Sequence, residues 1–271
     1  MKSVLLYAND DAGLGARLEA ALDVVRAFDG HLTCLTVTPY DAFILGDPFG
    51  GIYALPIAIE GLREAEEEHR RRIEQRLAGE GVAWDWVHRD GQPAQMLVNE
   101  ARLADLVILS QPVRRGGGEA SPPALTDAVS VNAFAPVLAV PSGGRGFDCS
   151  GAALVAWNGS DEAAHALRFA LPLLARASTV NLVVVDGDSE LGLPPLDACR
   201  YLARHGIKAE LHEWRRGQGT TGEALLKAAR NLEARYLVLG AYGRSRVMEA
   251  MLGGTTRHVL DHAELPLILA H

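Results

Sequence analysis

The sequence predicts an α/β chain of two tandem domains, each a five-stranded parallel sheet with helices on both faces. Three observations carry this expectation. Short β-branched and apolar runs alternate with longer helical patterns along all 271 residues, the signature of βα units building parallel sheets. Several runs, such as Leu182-Val183-Val184-Val185, are apolar without alternation, as in strands buried on both faces. Finally, the two halves repeat one another. Ala104-Asp105-Leu106-Val107-Ile108-Leu109-Ser110 parallels Ala234-Arg235-Tyr236-Leu237-Val238-Leu239-Gly240 at an offset of 130, and the same offset joins Pro136–Val140 to Pro266–Ala270. At the front, Tyr7-Ala8-Asn9 matches Ala156-Trp157-Asn158 at a larger offset. Two domain-sized units indicate duplication rather than a solenoid.

In the first half, strands are expected at Ser3–Ala8, His31–Val37, Val82–His88, Leu106–Ser110 and Pro136–Val140. Helices fill Gly15–Phe28, Ile59–Leu77, Ala94–Leu103 and Pro123–Ala133 between them. In the second half the strands are Ala152–Trp157, Val180–Asp186, Lys208–Glu213, Tyr236–Gly240 and Leu265–Ala270. Its helices are Asp161–Arg176, Pro195–His205, Gly222–Leu232 and Thr256–His262. The division is residues 1–141, a linker at 142–151 rich in glycine (Ser142-Gly143-Gly144-Arg145-Gly146), and 152–271.

Composition excludes several classes. A content of 48% hydrophobic and 22% charged residues is that of a folded domain. The net charge of −8 argues against nonspecific nucleic-acid binding, which needs clustered cations. The one dense basic run, His69-Arg70-Arg71-Arg72, follows Glu64, Glu66, Glu67 and Glu68 and reads as a solvated helix face. No run is long and apolar enough to span a membrane, and the N-terminal residues read as a strand, not a signal peptide. Cys34, Cys149 and Cys199 lack metal-type spacing. A cytoplasmic protein with reduced thiols is the expectation.

One segment carries candidate chemistry. Gly240-Ala241-Tyr242-Gly243 is followed, after nine residues, by Gly253-Gly254-Thr255-Thr256. The first glycine ends a strand and the last residues open a helix. Ligands of parallel α/β sheets bind beyond the carboxyl ends of strands, and the unpaired N–H groups of a helix start favour phosphate. Hydroxyls of Thr255 and Thr256 can cap the helix or donate to phosphate, and Arg244 and Arg246 add charge.

Together, Val155-Ala156-Trp157-Asn158-Gly159-Ser160, this Gly-x2-Gly-x9-Gly loop and the closing Pro266–Ala270 strand resemble the universal stress proteins. The resemblance spans Ala152–His271; in the first half it is confined to strand pattern and order. It implies a Rossmann-like, adenine nucleotide alpha hydrolase-like fold. It also implies an adenine-nucleotide site taking ATP, alone or with Mg²⁺. Gly240 and Gly243 would lie along ribose and phosphates, and Gly253 with Gly254, Thr255 and Thr256 would hold phosphate. Asn158 falls where the family has an acidic residue near the base, and Val184 falls where the second strand's backbone faces adenine. Gly254 stands where Ser or Thr is usual. The family pairs domains through the last strand. That implies an internal pseudo-dimer in which Pro136–Val140 meets Leu265–Ala270.

The first half has no second glycine cluster. Gln111-Pro112-Val113-Arg114-Arg115 and Ser121-Pro122-Pro123 read as a degenerate site or a remodelled anion loop. The long Thr38–Leu55 connection, rich in aromatics, is a candidate contact over the sister domain or in an oligomer, with a self-packed surface loop as the equal alternative. His258 and His262 have i, i+4 spacing without a third ligand. His165 reads as surface, His88-Arg89-Asp90 has no identified partner, and Asp186 and Asp188 read as turn residues. No nucleophile with an orienting base, and no Walker loop, is present in the sequence. The primary expectation is a stress-response protein binding ATP or a related adenine nucleotide in its second domain as a regulatory ligand with little or no turnover. A scaffold of the same fold that binds no nucleotide is the alternative. A homodimer and an unidentified protein partner are compatible with either.

Overall fold

The computed structural model describes residues 1–39, 55–112, 125–185, 192–241 and 254–271, with side chains from residue 60 onward in the second helix. The first lobe runs β1 (Ser3–Tyr7), α1 (Leu14–Phe28), β2 (His31–Thr38), α2 (Leu55–Ala78), β3 (Ala83–Asp90), α3 (Pro93–Glu100), β4 (Leu106–Ser110), α4 (Leu125–Asn132) and β5 (Val137–Val140). The second runs β6 (Ala153–Ala156), α5 (Asp161–Leu174), β7 (Val180–Val185), α6 (Pro195–Arg204), β8 (Ala209–Trp214), α7 (Thr221–Asn231), β9 (Tyr236–Gly240), α8 (Gly254–His262) and β10 (Leu267–Ala270). A short 3₁₀ turn, Ala101–Leu103, ends α3.

The ten strands form one sheet in the order β3-β2-β1-β4-β5-β10-β9-β6-β7-β8. Every pairing within a lobe is parallel; β5 and β10 pair antiparallel and join the lobes. At that seam Ile268 lies opposite Leu138, and Leu267 opposite Ala139. Leu138 and Ile268 are counterparts at the offset of 130, so a pseudo-twofold axis passes between them. The internal pseudo-dimer through the last strands is therefore present, and it removes two open sheet edges.

Burial explains the sequence pattern. The central strands β5, β7 and β10 are buried throughout, as their unbroken apolar runs require. The outer strands β3 and β8 alternate or expose most positions. Charged Asp85, Asp90, Glu210 and Glu213 stand on them, which discourages further strand addition. Caps set two helix starts in the second lobe. The Ser160 side chain accepts from the Ala163 N–H at 3.2 Å to start α5. Thr220 and Glu223 form a reciprocal capping box on α7. Among the described residues no helix is long and apolar enough to cross a membrane.

The pseudo-axis also carries charge. Asp127 on α4 is buried, and its Oδ2 accepts from Arg257 Nη1 on α8 at 2.8 Å. These two positions are again counterparts, 130 residues apart. A symmetric homodimer would place like residues together there; the duplicated chain has diverged to opposite charges.

Candidate functional site

At the carboxyl ends of β6, β7 and β9 the second lobe encloses a cavity of about 240 Å³. Its walls include Trp157, Asn158, Val183, Val185, Gly240 and the first residues of α8, Gly254–Thr256. Sites of this kind sit at strand ends in open α/β sheets. The described walls lie near the small end of the ~300–1,000 Å³ typical of small-molecule pockets; residues 242–253 lie outside those described.

Gly240 is glycine for a steric reason. A Cβ there would lie 2.6 Å from the Glu162 carbonyl carbon and 2.7 Å from the Ala163 nitrogen, so the end of β9 abuts the first turn of α5. The Thr256 hydroxyl donates to the Gly240 carbonyl at 3.3 Å and is buried. It therefore ties the start of α8 to the end of β9 while lining the cavity. Gly254 is open: an added Cβ would meet nothing within 4 Å. Gly254 and Thr255 thus present the helix start to the cavity, where N–H groups and the helix dipole favour an anion.

The edge of β7 supplies the second feature. Trp157 N–H donates to Val183 O at 2.9 Å, so Val183 turns its backbone toward β6. Backbone direction alternates along a parallel strand. Val185 therefore turns its N–H and C=O the same way, past the end of β6 and toward the cavity that it lines. Val184, the residue expected there, turns its backbone to β8 and its side chain into the core on the opposite face. Asn158 lines the cavity at an exposed position, and its Oδ1 accepts the Ser160 N–H at 3.1 Å. Gly159, at φ +75°, and Gly192 pack so closely that neither leaves room for a Cβ. Leu193 N–H donates to Gly159 O, and Trp157 Nε1 donates to Leu193 O. These contacts fix the turn that carries Asn158.

Gly240, Gly254, Thr255, Thr256 and Asn158 are thus brought together, with Ser160, Glu162, Val185 and Thr221 joining them. Gly243, Arg244, Arg246 and Gly253 lie outside the described residues, as do Arg114, Arg115, Asp186, Asp188 and most of the Thr38–Leu55 connection. Among the described residues no group of three or more His, Cys, Asp or Glu could hold a metal. His258 and His262 stack on each other at 4.2 Å. His165 lies near the His271 carbonyl, and His88 contacts Thr36 and Asp90.

At the equivalent strand ends of the first lobe, described side chains bond to one another and to the backbone. Arg17, buried on α1, donates to Tyr7 O, Asn9 O, both oxygens of Asp11 and Ser110 Oγ at 2.6–3.2 Å. By the register of the halves, Asn9, Asp11 and Ser110 are counterparts of Asn158, Ser160 and Gly240. Arg17 itself matches Ala166. Asn9 does more: its Nδ2 donates to Val37 O at 2.8 Å, and its Oδ1 accepts from Val37 N at 2.9 Å. Val37 is the counterpart of Val185, so in this lobe a side-chain amide covers the strand edge that the second lobe turns to its cavity. Thr126 repeats the Thr256 tether, donating to Ser110 O at 2.6 Å.

Fold and site define a duplicated α/β protein with a cavity at a helix start in the second lobe and, at the matching strand ends of the first, an arginine and an asparagine bonded to the backbone. The universal stress protein family model matches residues 1–141 and again 152–271. The chain belongs to the universal stress protein family. Among solved structures it is similar to a universal stress protein from Archaeoglobus fulgidus DSM 4304, 17% identical over 98% of this chain and 97% of that one, with a TM-score of 0.76. It is also similar to a putative universal stress protein from Pseudomonas aeruginosa UCBPP-PA14, 18% identical over 100% and 93%, with a TM-score of 0.55. A functionally unknown protein from Pseudomonas aeruginosa PAO1 is 17% identical over 100% and 92%, with a TM-score of 0.56. At these identities the likeness speaks to fold. No curated protein matches the chain.

Proposed function

We propose that the chain binds one adenine nucleotide, ATP alone or with Mg²⁺, in the second-lobe cavity as a regulatory ligand with little or no turnover. One observation carries the reading: the strand edge at Val185 and the helix start at Gly254–Thr256 face one cavity across the end of β6. An adenine ring edge offers a donor and an acceptor side by side, and an exposed strand edge answers both. A helix start answers phosphate. Mg²⁺ usually takes substrate phosphates and waters among its ligands and needs no dedicated protein cage. Family membership supports the same ligand class. Arg17 and Asn9 support a stoichiometry of one, because they occupy the matching features of the first lobe.

The test is calorimetric titration of nucleotide-stripped protein with ATP and Mg²⁺, beside Gly254→Glu. A Cβ added at Gly254 meets nothing within 4 Å, and the glutamate carboxylate would repel phosphate. Saturable one-to-one binding, lost in Gly254→Glu at unchanged thermal stability, is expected. No heat at several temperatures in folded protein would overturn the reading in favour of a scaffold. A stoichiometry of two would contradict the closure of the first lobe. An ATP hydrolysis assay run in parallel should show little or no turnover; rapid hydrolysis would refute the regulatory role.

A further inference from the structure

The segment that leads into the second lobe fills a groove between the lobes. Before β6, the segment Gly146–Cys149 crosses a cleft between α1 and the start of β9. Phe147 is buried there, meets the Tyr236 ring edge-on at 5.3 Å, and donates its N–H to Asp23 Oδ2 at 2.9 Å. The pseudo-twofold axis generates a mate of this cleft on the other side. In the mate, Leu106 replaces Tyr236, Asp105 replaces Arg235, Pro172 replaces Asp23, and Met1 stands at the counterpart of Ser150.

This mate groove is open and has gained aromatic rings. Phe134 stands where the filled cleft has Glu264, and Phe169 where α1 has Ala20. A hollow of about 280 Å³ between Asp105 and Pro172 runs on into one of about 720 Å³ beside Tyr201 and His271; Phe134, Arg168 and Phe169 line both. Phe134 is 81% exposed and Phe169 42%, and neighbouring Leu103 is 91% exposed. A cluster of large apolar side chains in water marks an interaction surface. The rim is basic, with Arg102, Arg168 and His165, on a chain of net charge −8. Among the described lining side chains the one acid is Asp105, which accepts the backbone N–H groups of Lys2 and Ser3.

We infer that this groove docks a peptide segment of a second polypeptide, one that offers an aromatic side chain next to carboxylates. The chain's own Gly146-Phe147-Asp148 shows the mode: a segment outside any helix or strand that lays a ring between the lobes with an acid beside it in sequence. In the open groove Phe134 and Phe169 take the ring, and Arg102 and Arg168 face the acids. Charge complementarity selects this occupant over a neutral apolar segment.

The experiment follows the anisotropy of a fluorescein-labelled peptide, Gly-Asp-Gly-Phe-Asp-Glu-Gly-Ser, titrated with the full chain without nucleotide. Saturable, salt-sensitive binding is expected. It should weaken about tenfold or more for Phe134→Ser, for Arg168→Glu, and for a peptide with Ala in place of Phe. Phe134 and Arg168 are exposed, so the variants should keep the parent melting temperature, and circular dichroism checks this. No binding, or binding indifferent to both variants, would overturn the proposal. So would light scattering that shows a concentration-dependent dimer dissociated by Phe134→Ser, since the occupant would then be a second copy.

Discussion

Replacing Gly240 by alanine tests how β9 meets α5, the junction on which the cavity is built. The added Cβ would lie 2.6 Å and 2.7 Å from backbone atoms of Glu162 and Ala163, and 2.9 Å from Glu162 Cβ. Ordinary van der Waals contact needs about 3.4 Å or more, so a gap of about 0.8 Å must open. Backbone atoms cannot rotate aside as a side chain does. The first turn of α5, capped by Ser160 and packed on the core, has to move as a unit. Overpacking of this kind costs about 1–3 kcal/mol. At ~2 kcal/mol the melting temperature should fall by about 4–8 °C for a chain of this size. The first lobe shows the alternative solution. Ser110 stands at the Gly240 position and Gly13 at that of Glu162; a Cβ on Gly13 would come within 2.2 Å of Ser110 Oγ. Each junction holds one side chain, not two. Glu162→Gly removes only the 2.9 Å Cβ contact and leaves both backbone contacts, so it should relieve little of the Gly240→Ala cost, and a double-mutant cycle should be additive to within about 0.5 kcal/mol. Urea and thermal unfolding followed by circular dichroism supply the four stabilities. A Gly240→Ala protein melting within about 1 °C of the parent, or a Glu162→Gly change that restores most of the lost stability, would refute the steric argument.

Three further outcomes follow from the same contacts. Thr126→Val and Thr256→Val each remove a buried hydroxyl donor and should cost about 1 kcal/mol in urea unfolding; Thr126, with the 2.6 Å bond against 3.3 Å, should lose more. Arg257→Met takes the guanidinium from buried Asp127; breaking a buried pair costs ~3–5 kcal/mol, and the partial exposure of Arg257 and its other contacts bring the expected loss nearer 2, read as a shift in urea midpoint. Burial pushes the Cys34 thiol up to about 12, and burial also raises Cys149 and Cys199. A raised thiol pKa means less thiolate, so at pH 8 only ~10⁻⁴ of Cys34 is reactive. Iodoacetamide labelling followed by mass spectrometry should modify half-buried Cys199 first and Cys34 only on unfolding; Cys34 labelling as fast as Cys199 would contradict the packing.

What the sequence revealed depends on how local each signal is. The buried run at Val180–Val185 and the alternation along β3 are carried by adjacent residues, so the strands were legible to within a residue or two. The seam between β5 and β10 was legible through the family resemblance. The Gly240 and Gly254 positions stood out because glycine is conspicuous at a strand end and a helix start. That Val185, rather than Val184, turns its backbone to the cavity was not legible, since which way a strand turns its backbone depends on the partner strand. Arg17 was hidden for a different reason. On an amphipathic helix an arginine reads as surface, and nothing nearby in sequence shows that Ser110 will hydrogen-bond to it. The Asp127–Arg257 pair did carry a signal: counterpart positions with opposite charge, visible once the halves are aligned through their helices as well as their strands.

That pair and the closed first lobe are two results of one change, the fusion of equivalent units into a single chain. In a symmetric dimer every residue on the axis meets its own copy, and a charge there would be repelled. Every ligand site also comes in twos, and a substitution that fills one fills the other. Joining the units lifts both constraints. Position 127 can become acidic while 257 becomes basic, which makes each lobe a better partner for its sister than for itself. Position 17 can become an arginine that reaches Asp11 and Ser110 while its counterpart stays Ala166 and leaves the second cavity open. The filled cleft at Phe147 and the open groove at Phe134 obey the same logic, because only one of the two mates receives the linker. A chain that uses the linker on one side is left with an unlike surface on the other, and the aromatic side chains have accumulated on that side.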